Sequence, residues 1–308
     1  MSTTTKPLWV RASLLAWTIA GWLMASSAGG QELEPRAYSP APVGTTFVVA
    51  GVGHFNGPVL LDPSLEVDSL TGDIWLITAG MGRVFGLAGR QARVFALIPI
   101  AFGSVAAVIQ QQSFSQTVRG LVDPRFKITI GLIGAPATKS VTAPAQRSLI
   151  VGTSFTVSAP LGQYDRTQPV TLGSHHWGFK PELGISDVVG RWTLEAQTGV
   201  WFFTTNDQYY PGIAHRSEDP IASIQTNVSY ALTRRSWVAV GATVFSGGQT
   251  RVDGVADPNQ QRNSRMGATL AIPIAPKQSV QFVYGTGITT RRGWDFSSFN
   301  VTWQFVTF

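Results

Sequence analysis

The chain has 308 residues, with 23 Lys+Arg, 17 Asp+Glu, ten Trp and no Cys. Charged residues make up only 13%, against about 25% in ordinary soluble domains, yet mean hydropathy is a mere +0.11. The missing Cys excludes a disulfide scaffold and a thiolate metal site. Low charge with many aromatics excludes wholesale disorder, and after the N-terminus no apolar run reaches the roughly 20 residues of a membrane helix.

Lys6 and Arg11 open the chain, Ala12–Ala25 form a short apolar core, and Ser26-Ser27-Ala28-Gly29-Gly30 follow before the first acid, Glu32. That order is the charged, apolar and small-residue sequence of a cleaved secretory signal over 1–30. It predicts export, and a core of this length is too short for a comfortable anchor. Residues 31–42 carry Pro35, Pro40 and Pro42 and read as an extended, non-helical segment.

From residue 43 to 308 the pattern is period-2 and reads as one domain. Strands are expected near 43–55, 73–85, 90–101, 119–133, 148–161, 177–186, 191–203, 221–232, 236–247, 262–274, 278–290 and 297–307. In 149–161 Leu149, Val151, Phe155 and Val157 alternate with Gly152, Ser154, Thr156 and Ser158. In 222–230 Ala222, Ile224 and Val228 oppose Ser223, Gln225, Asn227 and Ser229. Met266, Leu270 and Ile272 oppose Arg265, Gly267 and Thr269, and Phe299, Val301, Trp303 and Phe305 oppose Asn300, Thr302 and Gln304.

Short turns near 86–89, 187–190, 233–235 and 275–277 alternate with long connections near 56–72, 102–118, 162–176, 204–220 and 248–261. The exception is Ala135–Arg147, long but on the short side. Alternating connections and one apolar face per strand predict an all-β fold, a transmembrane antiparallel up-and-down β-barrel of about 12 strands in the outer membrane of a Gram-negative bacterium. An even, closed set leaves no edge in lipid. The alternative is a soluble secreted β-sandwich or barrel, which would carry more Lys and Glu toward water.

Trp177, Trp192, Trp201-Phe202-Phe203, Tyr209-Tyr210, Trp237, Trp294, Phe296 and Trp303 fall near strand ends, as interface girdles do. The chain ends in Phe308, which suits recognition by the barrel-assembly machinery through the last strand. Phe308 is on the wrong parity for that, and a bulge near Val306 would correct it. Further partners expected are outer-membrane lipid, lipopolysaccharide and a small hydrophobic solute. Without Lys6 and Arg11 the net charge of +6 falls to +4, 21 basic against 17 acidic residues, and that excess is scattered, so no nucleic-acid face is expected.

Parity turns Arg125, Lys127, Lys180, Glu182, Glu195 and Arg265 into the lumen. Charges in a narrow lumen pair with one another, so they either bound a pore or only tie the wall together. Twelve strands lie between a filled eight-stranded barrel and a wide sixteen-stranded channel, and the 31–42 segment is placed to block the passage in part. Phe55, Phe114, Tyr164, Trp177, Tyr209 and Tyr210 are candidates for capturing a solute on the outer side, or else pack on each other.

No nucleophile elbow, H-E-x-x-H, P-loop or dinucleotide fingerprint occurs. An enzyme, a cofactor and a metal site are therefore not expected. His175-His176 are adjacent and would point to opposite faces of a strand.

Several blocks together carry a family resemblance: Gly44–Pro63, Phe85–Arg90 (FGLAGR), Gly120–Arg125 (GLVDPR), Gly134–Ala137, Ala159–Tyr164, Trp177–Ser186 (WGFKPELGIS), Gly190–Glu195 (GRWTLE), Gly199–Asp207 and Ser264–Pro273. The chain resembles, over about 40–308, the outer-membrane transporter family of the phenol-degradation meta-pathway. The resemblance implies an outer-membrane barrel for uptake of small aromatic or hydrophobic compounds. The alternative is a structural or surface-interaction barrel with a blocked lumen.

Overall fold

The computed structural model describes residues 34–60, 69–109, 112–139, 147–168, 170–210, 212–233 and 235–307. The expected signal segment, most of the 135–147 connection and Phe308 lie outside the described residues.

Among the described residues the chain forms eighteen strands and no helix. In chain order they are β1 (Thr46–Leu60), β2 (Ser69–Leu87), β3 (Arg90–Ile109), β4 (Gln112–Leu121), β5 (Arg125–Ile133), β6 (Arg147–Ser158), β7 (Gly178–Val189), β8 (Trp192–Phe203), β9 (Asn206–Tyr209), β10 (Ala214–Glu218), β11 (Ile221–Ala231), β12 (Trp237–Gly247), β13 (Thr250–Val252), β14 (Val255–Ala256), β15 (Gln261–Ala275), β16 (Gln278–Thr289), β17 (Gly293–Trp294) and β18 (Ser297–Thr307).

The wall runs antiparallel from β1 through β2, β3, β5, β6, β7, β8, β11, β12, β15 and β16 to β18. It closes where β18 pairs with β1, Thr46 opposite Thr307 through Asn56 opposite Ser297. β4 also pairs with β3, so β4 and β5 are two halves of one strand, interrupted at Val122-Asp123-Pro124. Pro124 has no N–H to offer the ladder. The barrel is therefore a closed, twelve-stranded antiparallel wall with no edge in its spanning region.

Alternation sorts the side chains. Ile77, Leu183, Ile224, Val240, Met266 and Ile288 are exposed on the outside. Ser154, Thr156, Ser223, Gln225, Asn227 and Ser229 are buried inside. An apolar belt outside and a polar lining inside is the arrangement that lipid on one side demands.

Three expectations are corrected. The connections near 56–72 and 102–118 are largely strand, because β1 runs to Leu60, β2 starts at Ser69, β3 runs to Ile109 and β4 starts at Gln112. β2 and β3 have 19 and 20 residues, roughly twice what spans a bilayer. Their excess projects on the long-loop side, where backbone pairing continues and Leu70, Val105 and Ala107 join a buried apolar cluster. There is no bulge near Val306, since the β1–β18 register is unbroken to Thr307. Trp201 and Trp294 are buried in the interior rather than set in a girdle.

The short-turn end is tight. Ala88 and Gly89 have φ of 48° and 75°, the left-handed pair of a type I′ hairpin loop. On the long-loop end β9, β10, β13 and β14 form a separate four-stranded sheet. β17 folds back against β1, pairing Val59 with Trp294.

Candidate functional site

Two regions of the lumen carry polar or apolar character too strong to be filler. One is a charged belt. β7 places Lys180 and Glu182 at successive inward positions, and Lys180 Nζ lies 2.5 Å from Glu182 Oε2. Lys127 Nζ on β5 lies 3.1 Å from Glu182 Oε1, which also accepts from Ser154 Oγ at 2.7 Å. Lys127 then reaches Glu34 Oε2 at 2.6 Å. Two cations and two anions sum to zero, which is how charge persists away from bulk water. Trp201 is fully buried beside them, with Lys180 Nζ and Arg125 Cζ each 5.8 Å from its ring, a cation–π range.

The belt grips residues 34–42, which lie within the short-turn end of the barrel. Glu195 Oε2 accepts the Arg36 N–H at 2.5 Å, Arg93 Nη2 donates to the Ala37 carbonyl at 2.5 Å, and Gln91 Oε1 accepts the Ala41 N–H at 2.9 Å. The Arg36 guanidinium sits 4.8 Å over the Trp237 ring. Tyr38 is 4% exposed and seated on Gly152 and Gly184, a directly opposed pair on β6 and β7. A Cβ at Gly184 would stand 2.1 Å from Tyr38 Cε2, and one at Gly152 2.4 Å from Cδ1. The paired glycines make room for the ring.

The second region is an apolar chamber of about 410 Å³. Phe55, Leu76, Leu97, Val122, Trp294 and Phe296 are among its walls, and Arg125, Arg265 and Asp123 are the charged residues in its lining. Val59, Leu70, Val105, Val118, Val170 and Trp294 pack together as an apolar cap. Trp294 reaches there because Gly72 has no side chain, a Cβ at that position lying 2.4 Å from the ring. Asn263 holds the loop inward, accepting the Arg291 N–H at 2.8 Å and donating to the Arg292 carbonyl at 2.6 Å. Asp123 is occupied by the 159–177 connection. Its Oδ1 accepts the Gly162 N–H, and its Oδ2 accepts the Ser174 N–H and hydroxyl. Arg265 is 3% exposed; its Nη2 donates to the Phe296 carbonyl at 2.6 Å and its guanidinium lies 3.8 Å over the Phe296 ring.

The six inward charges expected from the sequence thus fall in three places. Lys127, Lys180 and Glu182 meet in the belt, Glu195 instead holds Arg36 of the N-terminal segment, and Arg125 and Arg265 line the chamber. The six aromatic capture candidates are not brought together. Phe55 lines the chamber. Phe114 and Trp177 are exposed. Tyr164 stacks on His175 at 4.7 Å and accepts from Asn206 Nδ2 at 3.0 Å. Tyr209 is buried with Ala214 in the outer sheet, Arg216 lying 5.5 Å over its ring, and Tyr210 follows it there, half-buried. In the same outer region burial pushes the Glu218 carboxyl up to about 7. Burial likewise lowers His176 to about 4, keeping that ring neutral.

Sequence reasoning missed Tyr38, its glycine seat and the inward turn of Trp294 and Phe296. Alternation assigns a face within a strand but says nothing of a loop that folds into the lumen. The one available signal was the number of glycines at inward positions.

The chain shares its fold with an outer membrane channel from Pseudomonas putida F1, at 19% identity and a TM-score of 0.73, covering 90% of this chain and 100% of that one. It also resembles the transport unit of the autotransporter AIDA-I from Escherichia coli, at 9% identity and a TM-score of 0.53, covering 94% of this chain and 98% of that one. No curated protein matches its sequence. The family model described as "Putative MetA-pathway of phenol degradation" matches residues 79–304, most of the described barrel. The chain belongs to that family.

Proposed function

We propose that the protein is a non-enzymatic outer-membrane channel that takes up small aromatic or hydrophobic compounds. The observation that carries this reading is the apolar chamber inside the lumen, since a general diffusion barrel lines its lumen with polar groups. Its volume falls in the usual range of roughly 300–1,000 Å³ for small-molecule sites. The solute enters from the long-loop side past the cap, rests among Phe55, Trp294 and Phe296, and leaves past the charged belt once residues 34–42 give way. Lys127, Lys180, Glu182 and Glu195 restrict the exit, and Arg125 and Arg265 bias what the chamber accepts. Export through the signal segment and insertion by the barrel-assembly machinery through β18 complete the route to the membrane. Lipid and lipopolysaccharide cover the apolar belt.

The second reading, a structural or surface barrel, is favoured by closure at both ends: the apolar cap outside and the N-terminal segment within. Planar-bilayer recording of the refolded chain separates the two. The channel reading expects conductance that is blocked in a graded way by added aromatic solutes. A silent barrel, even after removal of residues 34–42, favours the second reading.

A further inference from the structure

The lining of the chamber is unbalanced, and in one direction. Most of it is apolar, two of its three charges are positive, and the single acid, Asp123, is already engaged by three donors from the 159–177 connection. Arg265 sits on β15 and Arg125 on β5, six strands apart in a twelve-stranded ring. They face the chamber from opposite walls. Arg265 Nη1 is buried and has no hydrogen-bond partner among the described residues. Asp295, on the neighbouring loop, attracts Arg265 through space but makes no hydrogen bond to that Nη1, its Oδ1 accepting from Thr290 Oγ1 at 3.0 Å. A buried donor on a charged group left unmade costs more than an ordinary lost hydrogen bond, so the site is complete only when something supplies an acceptor there.

We infer that the chamber binds an amphipathic carboxylate, an aryl or short-alkyl monoanion whose carboxylate is received by Arg265 and whose apolar body lies against Phe55, Leu76, Leu97 and Phe296. The planar guanidinium fork matches a carboxylate in shape as well as charge. Its Nη2 is spent on Phe296 and its face on that ring, which leaves Nη1 aimed at a ligand. Arg125, across the chamber, adds long-range attraction for the same charge. A neutral phenol or alcohol would fill the apolar part and bring no anionic acceptor to Nη1. This rests on the reading of the chamber as the solute's resting place, and it narrows the solute from aromatic compounds in general to their carboxylic acids.

The test is equilibrium binding of phenylbutyrate and of phenylbutanol to the full-length protein in detergent micelles near neutral pH, by titration calorimetry, with empty micelles as the blank. The two probes share their apolar body and differ in charge. The acid is expected to bind about tenfold to a hundredfold more tightly than the alcohol, and that ratio is expected to collapse toward one in R265M. Equal binding of acid and alcohol by the unaltered protein overturns the inference, and so does a ratio that survives in R265M. Should R265M fail to refold, R265K decides. The ratio falls severalfold if the guanidinium fork receives the carboxylate, and an undiminished ratio overturns the assignment. Uptake by porin-deficient cells separates this from the broader reading. A protein that carries aromatic compounds without preferring the acid overturns the inference and leaves the channel standing. One that binds the acid and carries nothing overturns the channel alone.

Discussion

Gly184→Ala should loosen the N-terminal segment with a single methyl group. An alanine Cβ at that position would stand 2.1 Å from Tyr38 Cε2, against an ordinary carbon–carbon contact of about 3.5 Å. The ring must retreat by more than about 1 Å, and the wall cannot absorb this, because Gly184 is held between Gly152 and Gln197 in the ladder. Losing the seat of a buried aromatic costs about 3 kcal/mol, or about a hundredfold in the ratio of docked to released segment. The ion pair from Lys127 to Glu34 and the bonds to Arg36, Ala37 and Ala41 remain, so release is partial. Single-channel recording should show G184A opening more often than the unaltered protein. A chain lacking residues 34–42 gives the fully released limit. Tyr38→Ala should give the same phenotype, and the double variant should be no more open than Y38A alone, since both changes remove one contact. If G184A conducts as the unaltered protein does, or if the two effects add, Tyr38 is not the anchor.

Other outcomes follow from the same geometry. Glu182→Leu removes the acid shared by Lys127 and Lys180, Lys127 keeping Glu34, and should cost about 3–5 kcal/mol in urea unfolding; a change under about 1 kcal/mol would mean that these charges are solvated. Its outward neighbour gives the contrast: Leu183→Arg places a cation on the lipid face near mid-strand and should cost about 2–4 kcal/mol, read by refolding into lipid vesicles. In the outer sheet, Glu218 holds its proton in the folded state up to about 7, because burial disfavours the carboxylate, while an unfolded chain releases it near the ordinary 4.5. Stability from the neutral form is thus full at low pH and lost as pH rises from about 4.5 through about 7. Hydrogen exchange should show amides of β9, β10 and β13 better protected at acid than at alkaline pH. E218Q should flatten that dependence, and a flat profile in the unaltered protein would count against it.

Much of this fold is legible in the sequence because a barrel wall imposes period 2 on every strand. Ser223, Gln225, Asn227 and Ser229 against Ala222, Ile224 and Val228 fix β11 without any tertiary information. The belt is legible for a related reason. So few charges occur in the strands that Lys180 and Glu182, two residues apart, had to share a face. The rest is hidden where period 2 stops. The projecting ends of β3 and β4 pair through backbone and carry Ala106-Ala107 and Ser113–Ser115, which show no facing preference. Trp201, Trp237, Trp294 and Phe296 have the composition of a girdle, but residue type does not say which side of the wall a ring is on. Tyr38 and Trp294 lie on glycines far away in the chain, Gly152 and Gly184 for one and Gly72 for the other. Only the closed fold brings those positions together.

The account depends most on the chamber being the path of the solute. Ala101 is buried in its lining, so Ala101→Trp fills the chamber from the wall and leaves the lipid face untouched. The decisive measurement is the initial rate of radiolabelled benzoate uptake by porin-deficient cells carrying the unaltered protein, A101W or neither. The account predicts that the unaltered protein raises the rate and that A101W, present in the outer membrane at equal amount, returns it to the level of cells with neither. An A101W rate equal to that of the unaltered protein, or no increase with either, would contradict it.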